Sequence, residues 1–188
     1  EPFPPSPPMT PRFLILRGGA VGDFIVTLPA LQALRQRWPG AHMVLIGYPY
    51  IARLAQVAGL VDEVLSLDET GMARFFSHRP DFAPGQVEFI RSFDLVFTYL
   101  HDPDGLVRGN LELAGARQVI YGSPIVTDMH AADQMVAPLE KLAVYARGMA
   151  PELTLPDDMH KAGLDRLRDL GLEEGCVAIH PGSGSARK

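Results

Sequence analysis

The feature of the sequence that most constrains the fold is a short run of large apolar residues that ends close to a pair of glycines. Residues 13–16 read Phe-Leu-Ile-Leu, and Gly18 and Gly19 follow after a single arginine. An unbroken apolar run of this length is typical of a strand buried on both faces, as the strands of parallel sheets are. The run therefore predicts a parallel sheet with a helix leading away from the glycine pair.

The rest of the chain alternates in the same way between apolar runs and helical spacing. After the first strand we expect a helix over 24–38, with Pro29 inside its first two turns and Pro39-Gly40 ending it. Further strands are expected at 43–46, 63–67, 95–97 and 118–120, and further helices at 51–58, 87–91, 106–113 and 131–146. This order predicts an α/β fold, a Rossmann-like parallel sheet with helices on both faces. Ligands of such sheets bind where the strands end, so the loops after Leu16, Ile46, Phe97 and Ile120 should carry the chemistry.

The composition divides the chain into four expected parts. Residues 1–11 hold six of the 17 prolines and are predicted to be a disordered leader. Residues 12–147 form the Rossmann-like domain, and 148–175 form a linker and a connecting helix from Asp157 or Asp158 to Leu170. Residues 176–188 resemble the first strand and loop of a second domain, truncated at Lys188.

Composition and charge exclude several classes of protein. Apolar residues make up 47% and charged residues 21%, which argues against a disordered or fibrous chain. The net charge of −5 argues against a general nucleic-acid binder, which needs a surplus of Lys and Arg. No apolar stretch approaches the roughly 18 residues that span a bilayer. The single cysteine, Cys176, cannot form an internal disulfide, which fits a reducing compartment.

The strongest local motif is R-G-G-A-V-G-D, residues 17–23, between the first strand and its helix. Glycines at such a place let a ligand approach the backbone, and the amides of a helix start favour anions. The spacing is not the G-x-G-x-x-G of dinucleotide sites, and no acidic residue lies between Asp23 and Asp62 to bind a ribose. A nicotinamide site is therefore not expected. Asp23 is either a functional carboxylate or simply a cap of the helix.

A second motif, H-P-G-S-G-S-A-R-K, ends the sequence at residues 180–188. Its small residues expose amide donors, and its hydroxyls and two cations add to them, a combination that suits a pyrophosphate. It is not a Walker A loop. The alternative is a flexible tail after a strand.

A third motif, Asp102-Pro103-Asp104, has the D-x-D form of carboxylate pairs that hold a divalent metal in some glycosyltransferases. Two carboxylates that flank a proline before a glycine are more typical of a turn and a helix cap, which is the interpretation we favour. The six histidines have no zinc-like spacing, so no metal site is expected.

Taken together, these segments resemble glycosyltransferase family 9, the bacterial ADP-heptose:lipopolysaccharide heptosyltransferases. The resemblance runs from Arg12 to Lys188 and rests on the order R-G-G-A-V-G-D-F-I-V-T-L-P-A-L, W-P-G-A-H-M-V-L-I-G, G-L-V-D-E-V-L, F-D-L-V-F, His130 before a helix, and A-I-H-P-G-S-G-S-A-R-K. The pairing of G-D-x-x-x-x-x-P with a distant H-P-G-S-G-S-x-R-K is the specific part, since each motif alone is modest.

The resemblance implies the GT-B architecture, in which two Rossmann-like domains enclose the active site. It implies an inverting transfer of heptose from ADP-heptose to the lipopolysaccharide inner core, without metal or cofactor. The location implied is cytoplasmic, with peripheral contact with the inner membrane. Because most of the donor domain is missing from the resemblance, this chain would be the acceptor-side half, inactive by itself.

The same resemblance assigns residues to roles. Asp23 matches the general base, and the donor phosphates would be bound by Ser183, Gly184, Ser185 and Lys188. On the acceptor side we expect contacts from Arg17, Gly18, Gly19, Gly22, Arg53 and Arg108. A second reading stays open, in which the chain is a noncatalytic Rossmann-like module that binds sugars or regulates another protein.

Overall fold

The computed structural model describes residues 10–69, 71–172, 177 and 179. Its centre is a five-stranded parallel sheet of order β3-β2-β1-β4-β5. The strands are β1 (Arg12–Leu16), β2 (His42–Gly47), β3 (Glu63–Ser66), β4 (Leu95–Thr98) and β5 (Val119–Tyr121). The order, with β1 at the centre and the chain reversing direction across the sheet between β3 and β4, is that of a Rossmann-like sheet. The predicted fold class is confirmed.

Seven helices and two 3₁₀ turns are present in the described part of the chain. The helices are α1 (Val21–Ile25), α2 (Leu28–Arg37), α3 (Pro49–Val57), α4 (Pro84–Arg91), α5 (Leu106–Leu113), α6 (Ala131–Val136) and α7 (Asp157–Asp169), and the 3₁₀ turns are Met72–Phe76 and Ala137–Leu142. No helix among the described residues is long and apolar enough to cross a membrane.

The apolar core lies on both faces of the sheet, as the unbroken apolar runs predict. Alternate residues of β1 divide between the two faces, since Phe13 and Ile15 belong to one buried cluster and Leu14 and Leu16 to the other. All four are at most 2% exposed. A strand covered on both faces gains burial from every residue, which is why the sequence shows no polar alternation here.

Two predicted helices are wrong in extent, and a proline accounts for each. The single helix expected over 24–38 is two helices, because Pro29 has no N–H to continue α1 and instead lies in the first turn of α2, after Thr27 as N-cap. The long helix expected over 131–146 ends as α6 at Val136. Pro138 lies in the 3₁₀ turn that follows, and Ala143, with φ of 56°, ends that turn.

The chain separates into two compact units, one through Thr154 and one from Leu155 onward. The first contains the whole sheet. In the second, the described helix is α7, which has no buried residue. Two of the four residues of the strand expected at 176–179, Cys176 and Ala178, lie outside the described residues.

Candidate functional site

The loops that leave the carboxyl ends of β1, β4 and β5 meet at one edge of the sheet and enclose an open cleft of about 280 Å³. Hydrogen bonds hold the loop starts together, since Arg17 N donates to Ile46 O, Tyr99 N to Leu16 O and Gly122 N to Thr98 O. The cleft is lined by Arg17, Gly18, Gly19, Asp23, Tyr99, Leu100, His101, Pro124 and Ile125. The loop after β2 borders a smaller recess on the other side of the glycine turn, which Tyr48 and Ile51 line.

The turn after β1 requires glycine at position 19. The φ of Gly19 is +99°, a backbone conformation that side chains disfavour, and a Cβ there would lie 2.7 Å from Asp23 Oδ2. Gly18 is less constrained, since its Cβ would make an ordinary contact of 3.5 Å with Leu100. At Gly22, in α1, a Cβ would have nothing within 4 Å, so the fold itself does not demand glycine there. The glycine pair thus brings the Asp23 carboxylate against the backbone of the turn.

Asp23 lies on the rim of the cleft, in the first turn of α1, and its side chain is exposed. Its Oδ2 accepts a hydrogen bond from Ala20 N at 2.9 Å, the geometry by which an acidic residue caps a helix start. No donor among the described residues reaches Oδ1. The cap predicted as one reading of Asp23 is therefore present, and it leaves the second carboxylate oxygen open to a ligand.

Arg17 is buried beneath this carboxylate and organises the loop from inside. It is 5% exposed, and its Nη2 and Nη1 donate to the main-chain oxygens of Asp23 at 2.7 Å and Tyr99 at 3.2 Å. Its Nε donates to Thr27 Oγ1 at 2.9 Å, and that hydroxyl donates in turn to Asp23 O at 2.8 Å. Burial lowers the pKa of Arg17, and the nearby charge of Asp23 partly offsets the effect. The guanidinium therefore fixes the position of Asp23, and the contact with an acceptor that we expect of it stays a prediction.

Tyr99 joins the cleft to the helix behind it. The side chain is 1% exposed, and its hydroxyl donates to Met135 O at 2.9 Å. Burial raises the pKa of Tyr99 far above its ordinary value, so the phenol stays neutral. Its ring takes up the space beside Gly122, where a Cβ would lie 2.5 Å from Tyr99 Cε1. The loop after β5 is consequently seated on the tyrosine ring.

Gln134 of α6 holds the remainder of that loop. Its Nε2 donates to Ser123 O at 3.0 Å and also to Ile125 O, and its Oε1 accepts from Thr127 N at 3.1 Å. The Gln134 side chain thus makes hydrogen bonds to three main-chain groups of a loop that belongs to no strand or helix. The wall of the cleft formed by Pro124 and Ile125 is fixed in this way.

The other two predicted acceptor arginines lie away from the cleft. Arg53 is an exposed residue of α3 and is not among the residues that line the cleft in the described part of the chain. Arg108, in α5, donates from Nε to Asp102 Oδ2 at 3.3 Å and lines a separate cavity. The structure therefore brings Arg17, Gly18, Gly19 and Asp23 together without these two cations, and a role for Arg53 or Arg108 in binding an acceptor stays a prediction.

The Asp102-Pro103-Asp104 motif forms a turn that caps α5, as the favoured interpretation predicted. Asp102 is 3% exposed, and its carboxylate accepts hydrogen bonds from Val107 N at 2.9 Å and Arg108 N at 3.0 Å. Gly105, between the motif and α5, has a φ of +74° that completes the turn. Both oxygens of Asp102 are thus used by the protein itself.

The predicted donor-phosphate residues Ser183, Gly184, Ser185 and Lys188 lie outside the described residues. Among the described residues, the sequence did not predict that Thr27, Tyr99, His101 or Gln134 would line or support the cleft. A signal was present for two of them, because Tyr99 directly follows β4 and His101 lies two residues later, in the loop where the fold class places ligands. Thr27 and Gln134 act through main-chain groups that are distant in sequence, which no local pattern discloses.

The comparisons with known proteins agree with this architecture. Neither a protein-family model nor a curated protein sequence matches the chain. Among solved structures, the glycosyl transferase family 9 protein of Veillonella parvula matches with a TM-score of 0.67 at 20% identity, covering 95% of this chain and 56% of that one. The ADP-heptose lps heptosyltransferase II of E. coli matches with a TM-score of 0.56 at 13% identity, and the match covers 87% of this chain and 51% of the E. coli protein.

A third structure, E. coli heptosyltransferase WaaC with ADP, matches with a TM-score of 0.54 at 14% identity and covers 86% of this chain and 65% of that one. The chain thus spans less than two thirds of the length of each of these proteins. At such identities the likeness concerns the fold. The chain therefore shares the Rossmann-like fold of glycosyltransferase family 9 and of the heptosyltransferases.

Proposed function

We propose that this chain is the acceptor-side half of an inverting glycosyltransferase of GT-B architecture, with Asp23 as its general base. The observation that carries the proposal is the position of Asp23 in a glycosyltransferase-like fold. The carboxylate stands on the rim of an open cleft at the carboxyl edge of the sheet, capped through Oδ2 and open at Oδ1. The buried Arg17–Thr27 pair underneath keeps it there.

We further propose ADP-heptose as the donor and a sugar of the lipopolysaccharide inner core as the acceptor, as the resemblance to glycosyltransferase family 9 implies. Solved proteins that share the fold include a heptosyltransferase bound to ADP and the same enzyme bound to a fluorinated ADP-heptose analogue, which supports a nucleotide-sugar donor. A cytoplasmic location with peripheral contact with the inner membrane belongs to the same proposal.

The chemistry asked of Asp23 is proton abstraction. As an acceptor hydroxyl attacks the anomeric carbon, the bond from that carbon to the pyrophosphate oxygen breaks and the hydroxyl proton passes to the carboxylate. Attack from the side opposite ADP inverts the anomeric centre. The departing ADP gains negative charge, which the amides and hydroxyls of 183–185 and the ammonium of Lys188 would stabilise.

The helix start orients this base. The hydrogen bond from Ala20 N to Oδ2 holds the carboxylate in the first turn of α1. The contribution of Asp23 to the rate then depends mainly on correct placement beside the acceptor hydroxyl.

The test is transfer of labelled heptose from ADP-heptose by the complete enzyme, in which this chain is joined to its donor domain, with Asp23→Asn. The amide retains an oxygen that can accept from Ala20 N, so the cap persists while the basicity is lost. We expect kcat to fall by about 10²- to 10⁴-fold with an unchanged melting temperature. Asp81→Asn, an exposed carboxylate before α4, is the matched control.

Two results would count against the proposal. Near-normal kcat in a folded Asp23→Asn enzyme would remove Asp23 as the base. A complete enzyme that binds the acceptor saccharide but transfers no sugar from any nucleotide sugar would instead favour a noncatalytic sugar-binding module.

A further inference from the structure

A second cavity, separate from the cleft that Asp23 lines, opens beside the edge strand β5. It has a volume of about 260 Å³ and is formed by α5 with the glycine before it, by β5 and by the 3₁₀ turn Ala137–Leu142. The lining residues are mostly polar: Gly105, Arg108, Gly109, Glu112, Val119, Tyr121 and Lys141. The cavity therefore has two cations and a phenol side chain in its lining, beside the edge strand β5.

Arg108 is held in a fixed orientation in this cavity. Its Nε is paired with Asp102 Oδ2 at 3.3 Å, and its Cζ lies 4.7 Å from the centre of the Tyr121 ring. Stacking on an aromatic ring and pairing at Nε order the guanidinium before any ligand arrives, which lowers the entropy lost on binding. Among the described residues no acceptor is bonded to Nη1 or Nη2, so the outer face of the guanidinium is available.

Two glycines line the cavity beside the guanidinium of Arg108. At Gly105, with φ of +74°, a Cβ would lie 3.0 Å from Arg108 Nη2 and would press on the guanidinium. Gly109 lies inside α5, where glycine is unfavourable, and a Cβ there would meet nothing within 4 Å. Packing does not account for Gly109, which lines the cavity.

The charged side chains around the cavity differ in how far a ligand can reach them. The carboxylate of Asp102 is 2% exposed and already accepts two main-chain N–H groups besides Arg108. Lys141 and Glu112 are both exposed, so the lysine attracts an anion and the glutamate opposes it. The accessible balance is two cations against one carboxylate.

We propose that this cavity is a binding site for a phosphate group, with Arg108, Lys141 and Tyr121 as its ligands. A guanidinium fork, an ammonium and a hydroxyl that line one cavity suit a tetrahedral dianion better than a planar carboxylate. The site does not depend on the proposed transfer reaction. It assigns functions to Lys141 and Tyr121 that the sequence motifs did not indicate.

The experiment is a titration of the ¹⁵N-labelled 188-residue chain with inorganic phosphate at constant ionic strength, followed by NMR. We expect saturable shifts at the amides of Gly105, Arg108, Gly109 and Tyr121. Lys141→Gln should weaken binding by about two- to five-fold, as for loss of an exposed ion pair, and Glu112→Gln should tighten it by a similar factor. Lys161→Gln, in α7, is the matched control and should change nothing.

The opposite signs for Lys141→Gln and Glu112→Gln separate a real site from general attraction to the protein surface. Shifts that do not saturate, or that respond equally to Lys141→Gln and Lys161→Gln, would overturn the proposal. Acetate that binds as tightly as phosphate would overturn the assignment to phosphate. A parallel titration with glucose 6-phosphate distinguishes the sources, since a site for phosphate esters binds it and a site for the free ion does not.

Discussion

The hydroxyl of Thr27 is expected to stabilise the candidate site through the buried guanidinium beside it. Thr27 is fully buried, and Thr27→Val replaces the hydroxyl with a methyl group of similar volume. The change removes the 2.9 Å bond from Arg17 Nε and the 2.8 Å bond to Asp23 O. The buried, charged guanidinium of Arg17 therefore loses a hydrogen bond, and such a loss lowers the stability more for a charged donor than for a neutral one.

The magnitude follows from what Arg17 retains. A hydrogen bond to a charged group contributes about 1.5–3 kcal/mol, and Arg17 Nε keeps a longer contact of 3.2 Å with Asp23 O. We therefore expect Thr27→Val to lower the free energy of unfolding by about 2 kcal/mol. Thr27→Ser keeps the hydroxyl and removes one methyl group, so it should lose only about 1 kcal/mol.

Urea unfolding of the chain, followed by tryptophan fluorescence, measures these differences. The single tryptophan, Trp38, ends α2 and packs edge-on against Phe13 at 5.3 Å, so it reports on the unit that contains the sheet. A loss of 2 kcal/mol moves the midpoint by about 1 M urea for a typical m-value. A Thr27→Val midpoint within the error of the unsubstituted chain, or equal to that of Thr27→Ser, would refute the role assigned to the hydroxyl.

Two further predictions concern the same edge of the sheet. Gly19→Ala places a Cβ against the Asp23 carboxylate at a positive φ, so this variant should lower the free energy of unfolding by about 1–3 kcal/mol. Gly22→Ala lies in an open helical position and should be neutral or stabilise the chain by up to about 1 kcal/mol. Equal urea midpoints for the two variants would contradict the geometry of the turn. Tyr99→Phe removes the buried hydrogen bond to Met135 O, which should cost about 1 kcal/mol at pH 7. Because burial raises the pKa of Tyr99, its stabilisation is complete below the ordinary phenol pKa and is lost as the pH rises beyond it. Tyr99→Phe should therefore show a weaker loss of stability above pH 10, and an unchanged alkaline profile would argue against the buried phenol.

The sequence predicted the sheet because its strands are buried on both faces. Unbroken apolar runs such as 13–16 and 43–46 are typical of strands that are buried on both faces, and the parallel order follows from the helices between them. Helix extents were less predictable, since apolar spacing continues across Pro29 and Pro138 although the backbone bonds do not. Periodicity reports which face is buried, not whether the helix is continuous.

The candidate site was predictable only where its residues are adjacent in sequence. The glycine turn and Asp23 form one motif, and their grouping in the cleft agrees with the expectation for a strand end. Arg17 was expected to contact an acceptor, and the sequence did not predict its burial, because its partners Thr27 and Tyr99 are fixed by the fold rather than by a motif. Arg53 and Arg108 were grouped with it as cations that follow the strand ends at Ile46 and Phe97, and neither charge nor position in the sequence determines which cavity a side chain lines.

The central claim, that this chain is the acceptor-side half of a sugar transferase, is tested most directly by calorimetry on the 188-residue chain. The proposal assigns the cleft to the acceptor and only residues 176–188 to the donor. We therefore expect measurable binding of an inner-core acceptor saccharide, weakened by Asp23→Asn, and no tight binding of ADP-heptose. Micromolar binding of ADP-heptose without any binding of the acceptor would contradict the account and would reverse the assignment of the cleft.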